Sequence, residues 1–201
     1  MFTKEILHYQ NKSFSDDDFS EQELSGYTFE RCSFRGSAMQ SLVTRNCSFS
    51  GCNFSFAKLS GSRHHNSAFI NCQFSSASLF SATFKDCKCM GSGFVNADLT
   101  GVEFLRGNFD YCCFQDCDLR GMDLSDISFR NADFRKALLE KCVIHDADFT
   151  KAMLSNARLT DADLRGSVLD GVYLKDVFWR KTKIDIQQAA LIAECMGAIV
   201  E

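Results

Sequence analysis

The sequence predicts an all-β solenoid, a parallel β-helix closed by one short C-terminal α-helix. Three observations point there: a five-residue period, a two-residue alternation nested inside it, and turn-forming residues at one fixed slot of each repeat. Every fifth residue from Phe14 to Ile184 gives 35 positions without an insertion or deletion. Sixteen of these centres are Phe and twelve are Leu; Met39, Ile144, Trp179 and Ile184 are also large and apolar. Only Thr44, His64 and Cys89 depart. The residue two before each centre, from Cys32 to Thr182, is small or short-branched everywhere except Leu42, Met122 and Ile127.

The rule is therefore small–polar–large–x–x, as in Ala97-Asp-Leu-Thr-Gly101 or Ala147-Asp-Phe-Thr-Lys151. Positions two apart face the same side of a strand, so the small and large residues point inward together. A helix cannot hold this pattern, because a period of five drifts around a 3.6-residue turn. A short strand followed by a sharp corner, reset every five residues, satisfies both periods. The corner chemistry agrees. Nine of the twelve glycines lie two after a centre, and Asn46, Asn66, Asn71, Asn96, Asn131 and Asn156 share that slot. Gly and Asn tolerate the positive φ that a type II turn requires there. Proline is absent, as expected where few backbone N–H groups can be spared from a ladder.

In order along the chain, residues 1–13 precede the period and are expected to cap one end. Residues 14–184 form the repeat array. Residues 185–201 lose the period. Within them Asp185 is placed as the N-cap of a helix ending near Met196, with Gly197 at the stop and a β-prone stub, Ala198–Val200, beyond it. Leu191, Ile192, Cys195 and Met196 make its apolar stripe. An open solenoid end needs a cover, so the helix is expected to cap the array and to supply a dimer interface.

The Ala-Asp-Leu/Phe-x-x pattern over roughly 85% of the chain resembles the pentapeptide-repeat family. The resemblance implies a right-handed quadrilateral β-helix with four repeats per coil, hence about 8.75 coils and, at about 4.8 Å per coil, a rod of roughly 40 Å. Residues 20 apart then stack, so Phe74, Phe94, Phe114 and Phe134 should fill one inner corner. The tail Gln188-Ala-Ala-Leu-Ile-Ala-Glu-Cys-Met-Gly197-Ala-Ile-Val resembles the C-terminal segment of the Qnr group of DNA gyrase-protecting proteins, with relatives such as MfpA and AlbG. That likeness implies a head-to-head homodimer through the C-terminal helix, with Phe178, Trp179, Leu191, Ile192, Cys195, Met196 and Ile199 in the interface. It also implies binding to DNA gyrase, and to topoisomerase IV, in place of DNA, with resistance to quinolone-type drugs or toxins. Many Qnr proteins carry loops that interrupt the coils; the unbroken register here leaves no room for one and is closer to MfpA.

Eight of the eleven cysteines (Cys32, Cys47, Cys52, Cys72, Cys87, Cys112, Cys117, Cys142) occupy the small inward slot, where a thiol packs as a small apolar group. They lack paired CxxC spacing, so no metal is expected, and buried free thiols suit a reducing, cytoplasmic compartment. Thr44 and His64 lie 20 apart and should be hydrogen-bonded neighbours in one inner ladder. No P-loop, GxSxG, GxGxxG or HExxH motif occurs, so neither catalysis nor a cofactor is expected. No apolar run is long enough to span a membrane.

Charge is unevenly spread. Residues 96–126 hold seven acidic and two basic side chains, whereas residues 31–95 hold one acidic and seven basic. Whole-molecule mimicry of DNA fails by magnitude, since DNA carries one charge per about 1.7 Å and the chain's net charge is −4. Any mimicry must be local, and its candidates are Asp98, Glu103, Asp110, Asp116, Asp118, Asp123 and Asp126. Asp98 with Asp118, and Glu103 with Asp123, should stack as like charges, which destabilises a sheet slightly. The basic stretch lacks interleaved exposed aromatics, so direct nucleic-acid binding is not expected. The rival reading is an interaction scaffold with a different protein partner, because the repeat alone does not determine function.

Overall fold

The computed structural model describes residues 7–201, and residues 1–6 of the expected cap segment lie outside them. The strands are β1 His8–Gln10, β2 Glu23–Ser25, β3 Thr28–Glu30, β4 Val43–Arg45, β5 Ser48–Ser50, β6 Arg63–His65, β7 Ala68–Ile70, β8 Thr83–Lys88, β9 Glu103–Asn108 and β10 Ile127–Ser128. Every pairing is parallel and every register is offset by 20 residues, from His8↔Thr28 to the bridge Asp163↔Lys183. A five-residue repeat with a 20-residue register gives four faces per coil. They are named here by their centres: the first begins Tyr9–Phe29–Phe49, the second Phe14–Phe34–Phe54, the third Phe19–Met39–Leu59, the fourth Leu24–Thr44–His64. The ladder starts before Phe14, because β1 pairs with β3 and Tyr9 stacks on Phe29 at 5.5 Å.

The corners recur without regard to residue type. Every fifth residue from Asn11 to Lys181 has positive φ except Asp176, so the left-handed slot holds Arg31, Phe56, Tyr111 and Lys141 as well as Gly and Asn. The hydrogen-bonded ladder imposes that conformation on side chains that disfavour it alone. On the second face, seven rings from Phe14 to Phe134 stack in one column, consecutive centroids being 5.0–5.1 Å apart. Such contacts add to the burial of each ring.

The core has a polar part. Thr44 Oγ1 lies 2.8 Å from His64 Nδ1, Ser62 Oγ lies 3.0 Å from His64 Nε2, and Thr44 Oγ1 donates to Ser67 Oγ at 3.2 Å. The expected Thr44–His64 bond is present, and both side chains are fully buried. The inward cysteines do more than replace alanine. Each of the eight donates its S–H to the carbonyl 23 residues earlier, as from Cys47 to Leu24 (3.4 Å) and Cys142 to Leu119 (3.0 Å). Ser92, Ser167 and Thr182 make the same bond from the same slot.

Helix α1, Ile186–Cys195, covers the C-terminal end. Its N-cap Asp185 and Gln188 form a reciprocal capping box. The buried Gln188 Nε2 also donates to Leu164 O and Ser167 O, both at 2.7 Å. At the other end Gly197 (φ 95°) and Ala198 return their N–H groups to Glu194 and Ala193, a Schellman arrangement. The expected β-prone stub 198–200 adds no strand. Among the described residues no helix is long and apolar enough to cross a membrane.

Candidate protein-binding surface

The acidic candidates occupy outward slots in two adjacent coils. Asp98, Glu103, Asp116, Asp118, Asp123 and Asp126 are exposed; Asp110 is half-buried. Asp98 and Asp118 share the third face, Glu103 and Asp123 the fourth, and Asp126 holds the corner after the fourth, at φ 58°. Asp116 sits at the corner between the second and third faces.

Six of the seven carboxylates accept a hydrogen bond within the molecule, and Asp118 alone of them is in an ion pair among the described residues. Arg120 closes a two-point fork on Asp118, and that hydrogen bond holds the carboxyl below the usual range. Asp110 Oδ1 accepts from the Ser128 hydroxyl and from the Arg130 N–H at 3.0 Å. Asp116 accepts from Gln115 Nε2 at 3.1 Å. Asp98 and Asp123 each spend one oxygen on a local turn, to Thr100 and Ser125 N–H, and Glu103 has only a long 3.4 Å bond from Thr83 Oγ1. Asp98, Glu103, Asp123 and Asp126 have no ion-pair partner among the described residues.

Where the like charges should stack, the wall is open. Bridges of the ladder run Ser78↔Asp98 and Asp118↔Leu138, yet none joins Asp98 to Asp118 or Glu103 to Asp123. The amides of Asn96, Leu99, Gly101, Phe104 and Arg106, which by the repeat should donate to Gln115, Asp118, Arg120, Asp123 and Ser125, make no such bond. The same amides one coil earlier do, as in Leu79 to Asp98 (2.9 Å) and Ser81 to Thr100 (2.9 Å). A cleft of about 550 Å³ results, walled by Leu99, Gly101, Leu119, Gly121 and Met122 and rimmed by Asp118, Arg120, Glu140 and Lys141. On the second face, Phe94 and Phe114 remain stacked at 5.0 Å, so the opening is a wedge confined to one side.

The wedge follows from volume. Leu42 also overfills a small slot, but its centre is the short Thr44, and Ile127 lies over Gly107. Met122 is followed by a full-sized centre, Leu124, with Val102 in the slot of the coil before. Nothing compensates it, and overpacking moves backbone. The like-charge pairs add to the same separation. The sequence signals were Met122 and the two charge pairs; that they act together is visible only in the fold.

At the C-terminal end the interface candidates divide. Leu191, Ile192, Cys195 and Trp179 are half-buried against the core, and Trp179 Nε1 donates to Leu174 O at 3.4 Å. Phe178 (57%), Met196 (54%) and Ile199 (87%) are left exposed. The ladder also slips nearby: Asn156 N–H bonds to Asp176 O, one residue beyond its regular partner. Among the described residues no cluster of His, Cys, Asp or Glu could hold a metal ion.

A family model for pentapeptide repeats matches residues 47–86, 112–143 and 142–177. No curated protein matches the sequence. Among solved structures, full-length QnrB1, a plasmid-mediated fluoroquinolone resistance protein, superposes with a TM-score of 0.86 at 21% identity, over 96% of this chain and 98% of that one. A trypsin-treated QnrB1 variant gives 0.71 at 21% identity, over 98% and 99%. HetL from the cyanobacterium Nostoc sp. strain PCC 7120, a pentapeptide repeat protein involved in heterocyst differentiation regulation, gives 0.57 at 20%, over 87% and 86%. At these identities the structures share the fold. With half of its length matched by the family model and the 20-residue register throughout its coils, the chain belongs to the pentapeptide-repeat family.

Proposed function

We propose that this protein is a non-enzymatic, cytoplasmic partner of DNA gyrase and topoisomerase IV. It acts as a homodimer that presents a local surrogate of DNA charge and protects the enzyme from quinolone-type drugs or toxins. The observation that carries the reading is the carboxylate group Asp98, Glu103, Asp123 and Asp126, exposed on two adjacent faces and free of internal ion pairs. A positively charged DNA-binding groove is attracted to such a group through long-range complementarity. Support also comes from the fold shared along almost the whole chain with a fluoroquinolone resistance protein, and from the exposed apolar side chains Phe178, Met196 and Ile199 in the C-terminal part of the chain.

The test is gyrase supercoiling with ciprofloxacin while this protein is titrated. Restored supercoiling supports the full reading. Inhibition without rescue supports binding in place of DNA and removes protection. No effect at micromolar protein rejects both, and leaves a scaffold for another partner.

A further inference from the structure

The opened wall between residues 96–106 and 115–126 carries an inference that does not depend on the partner being a topoisomerase. We propose that this seam is a slot for an extended, Lys/Arg-bearing segment of a partner protein, which adds as a strand between the two coils.

The first argument is hydrogen-bond complementarity. One lip presents the N–H groups of Leu99, Gly101, Phe104 and Arg106 without ladder acceptors. The facing lip presents the carbonyls of Asp118, Arg120, Asp123 and Ser125 without ladder donors. Backbone polar groups are nearly always paired, and an edge with unpaired groups is a template for another strand. A parallel segment entering the seam accepts from the first lip and donates to the second, which is strand addition at a sheet edge.

The second argument is what the side chains select. A strand alternates faces, so an entering segment points one residue in and the next out. Inward it meets Leu99, Leu119 and Met122, an apolar floor. Outward it passes Asp98 and Glu103 on one lip and Asp123 on the other. These carboxylates have no ion-pair partner among the described residues, and the cleft's rim adds Asp118 and Glu140 to Arg120 and Lys141. Alternating basic and apolar residues satisfy both sides.

Gly121 adds a geometric sign. A Cβ there would meet nothing within 4 Å, whereas one at Gly101, the equivalent corner of the coil before, would touch Ser81 at 3.3 Å. The space over Gly121 is the vacated position of the neighbouring coil.

The experiment is amide hydrogen exchange of the full chain with the peptide acetyl-Lys-Leu-Lys-Leu-Lys-Leu-amide as probe. Amides of 96–106 should exchange at least ~10-fold faster than those of 76–86, and should slow by about that factor when the peptide saturates. A Glu-Leu peptide of the same length should slow nothing. Met122→Ala restores a small inward residue, so it should close the seam, protect 96–106 without peptide, and weaken peptide binding at least ~10-fold. Should that variant not fold, Asp98→Lys with Asp123→Lys, both on exposed positions, should weaken binding by a similar factor. Protection of 96–106 equal to that of 76–86 in the free protein overturns the proposal. So does a peptide that slows nothing, or undiminished binding by every variant that folds.

Discussion

His64 stands in a slot filled mostly by Phe or Leu, and its burial has a pH consequence. Removal from water pushes its pKa down to about 3, with the neighbouring His65 charge adding to the effect. The unfolded chain takes up a proton below about 6.5 that the native state refuses. This stability is therefore complete above about pH 6.5 and is lost as pH falls toward 3, at no more than about 1.4 kcal/mol per pH unit. Denaturant titrations of His64→Leu should lose that slope relative to wild type, although the variant is weaker at neutral pH because Thr44 and Ser62 lose their partner. The cysteines make a second residue-scale prediction. Burial pushes the thiols of Cys87, Cys112, Cys117 and Cys142 up to about 12, and the thiolate is the reactive form. Native alkylation by iodoacetamide should be confined to the partly exposed Cys113 and Cys195, counted by mass spectrometry; modification of the inward set at a similar rate contradicts the buried column. A third concerns Lys136, exposed at φ 60°. Lys136→Gly relieves a left-handed strain of about 1–2 kcal/mol, offset by glycine's entropy, and should raise Tm by about 2 °C.

At the scale of elements, α1 and the coils it covers were legible to different degrees. Asp185, the stripe from Leu191 and the stop at Gly197 predict the helix within a residue of Ile186–Cys195. The role of Gln188 was not legible, because an amide in the first turn looks solvent-facing until the coil end is placed against it. Its Nε2 donates to Ser167 O, which a further coil would have paired, and to Leu164 O, which also accepts from Ser167 N–H. Gln188→Ala should therefore destabilise by about 1–3 kcal/mol, read as a lower denaturation midpoint, while Gln187→Ala on the exposed side should be neutral. The hydrogen bonds of the inward cysteines escaped sequence reading for a related reason: slot size predicts a small residue, but the carbonyl that rewards a donor comes from a coil 23 residues earlier.

At the scale of the molecule, the proposed dimer is to be tested at the exposed apolar side chains Met196 and Ile199 beyond α1. Met196→Glu with Ile199→Asp alters only exposed side chains, so the fold should persist. Light scattering should then move from the dimer mass toward the 22.6 kDa of one chain. A wild type already at that mass removes the dimer from the functional proposal.

What the sequence by itself determined is everything periodic. The five-residue repeat, the inward alternation and the corner slots follow from local rules applied 35 times without interruption, and the 20-residue stacking of Thr44 on His64 and of the Phe column follows from them. Only the tertiary structure decided which departures are absorbed. Leu42 is compensated by Thr44 within its own repeat and Ile127 by Gly107 in the coil beneath, whereas Met122 finds no compensation and the wall parts beside Asp98, Glu103 and Asp123. The physical reason is that a side chain's volume and charge are weighed against neighbours about 20 residues away, and that sum exists only when the coils are stacked.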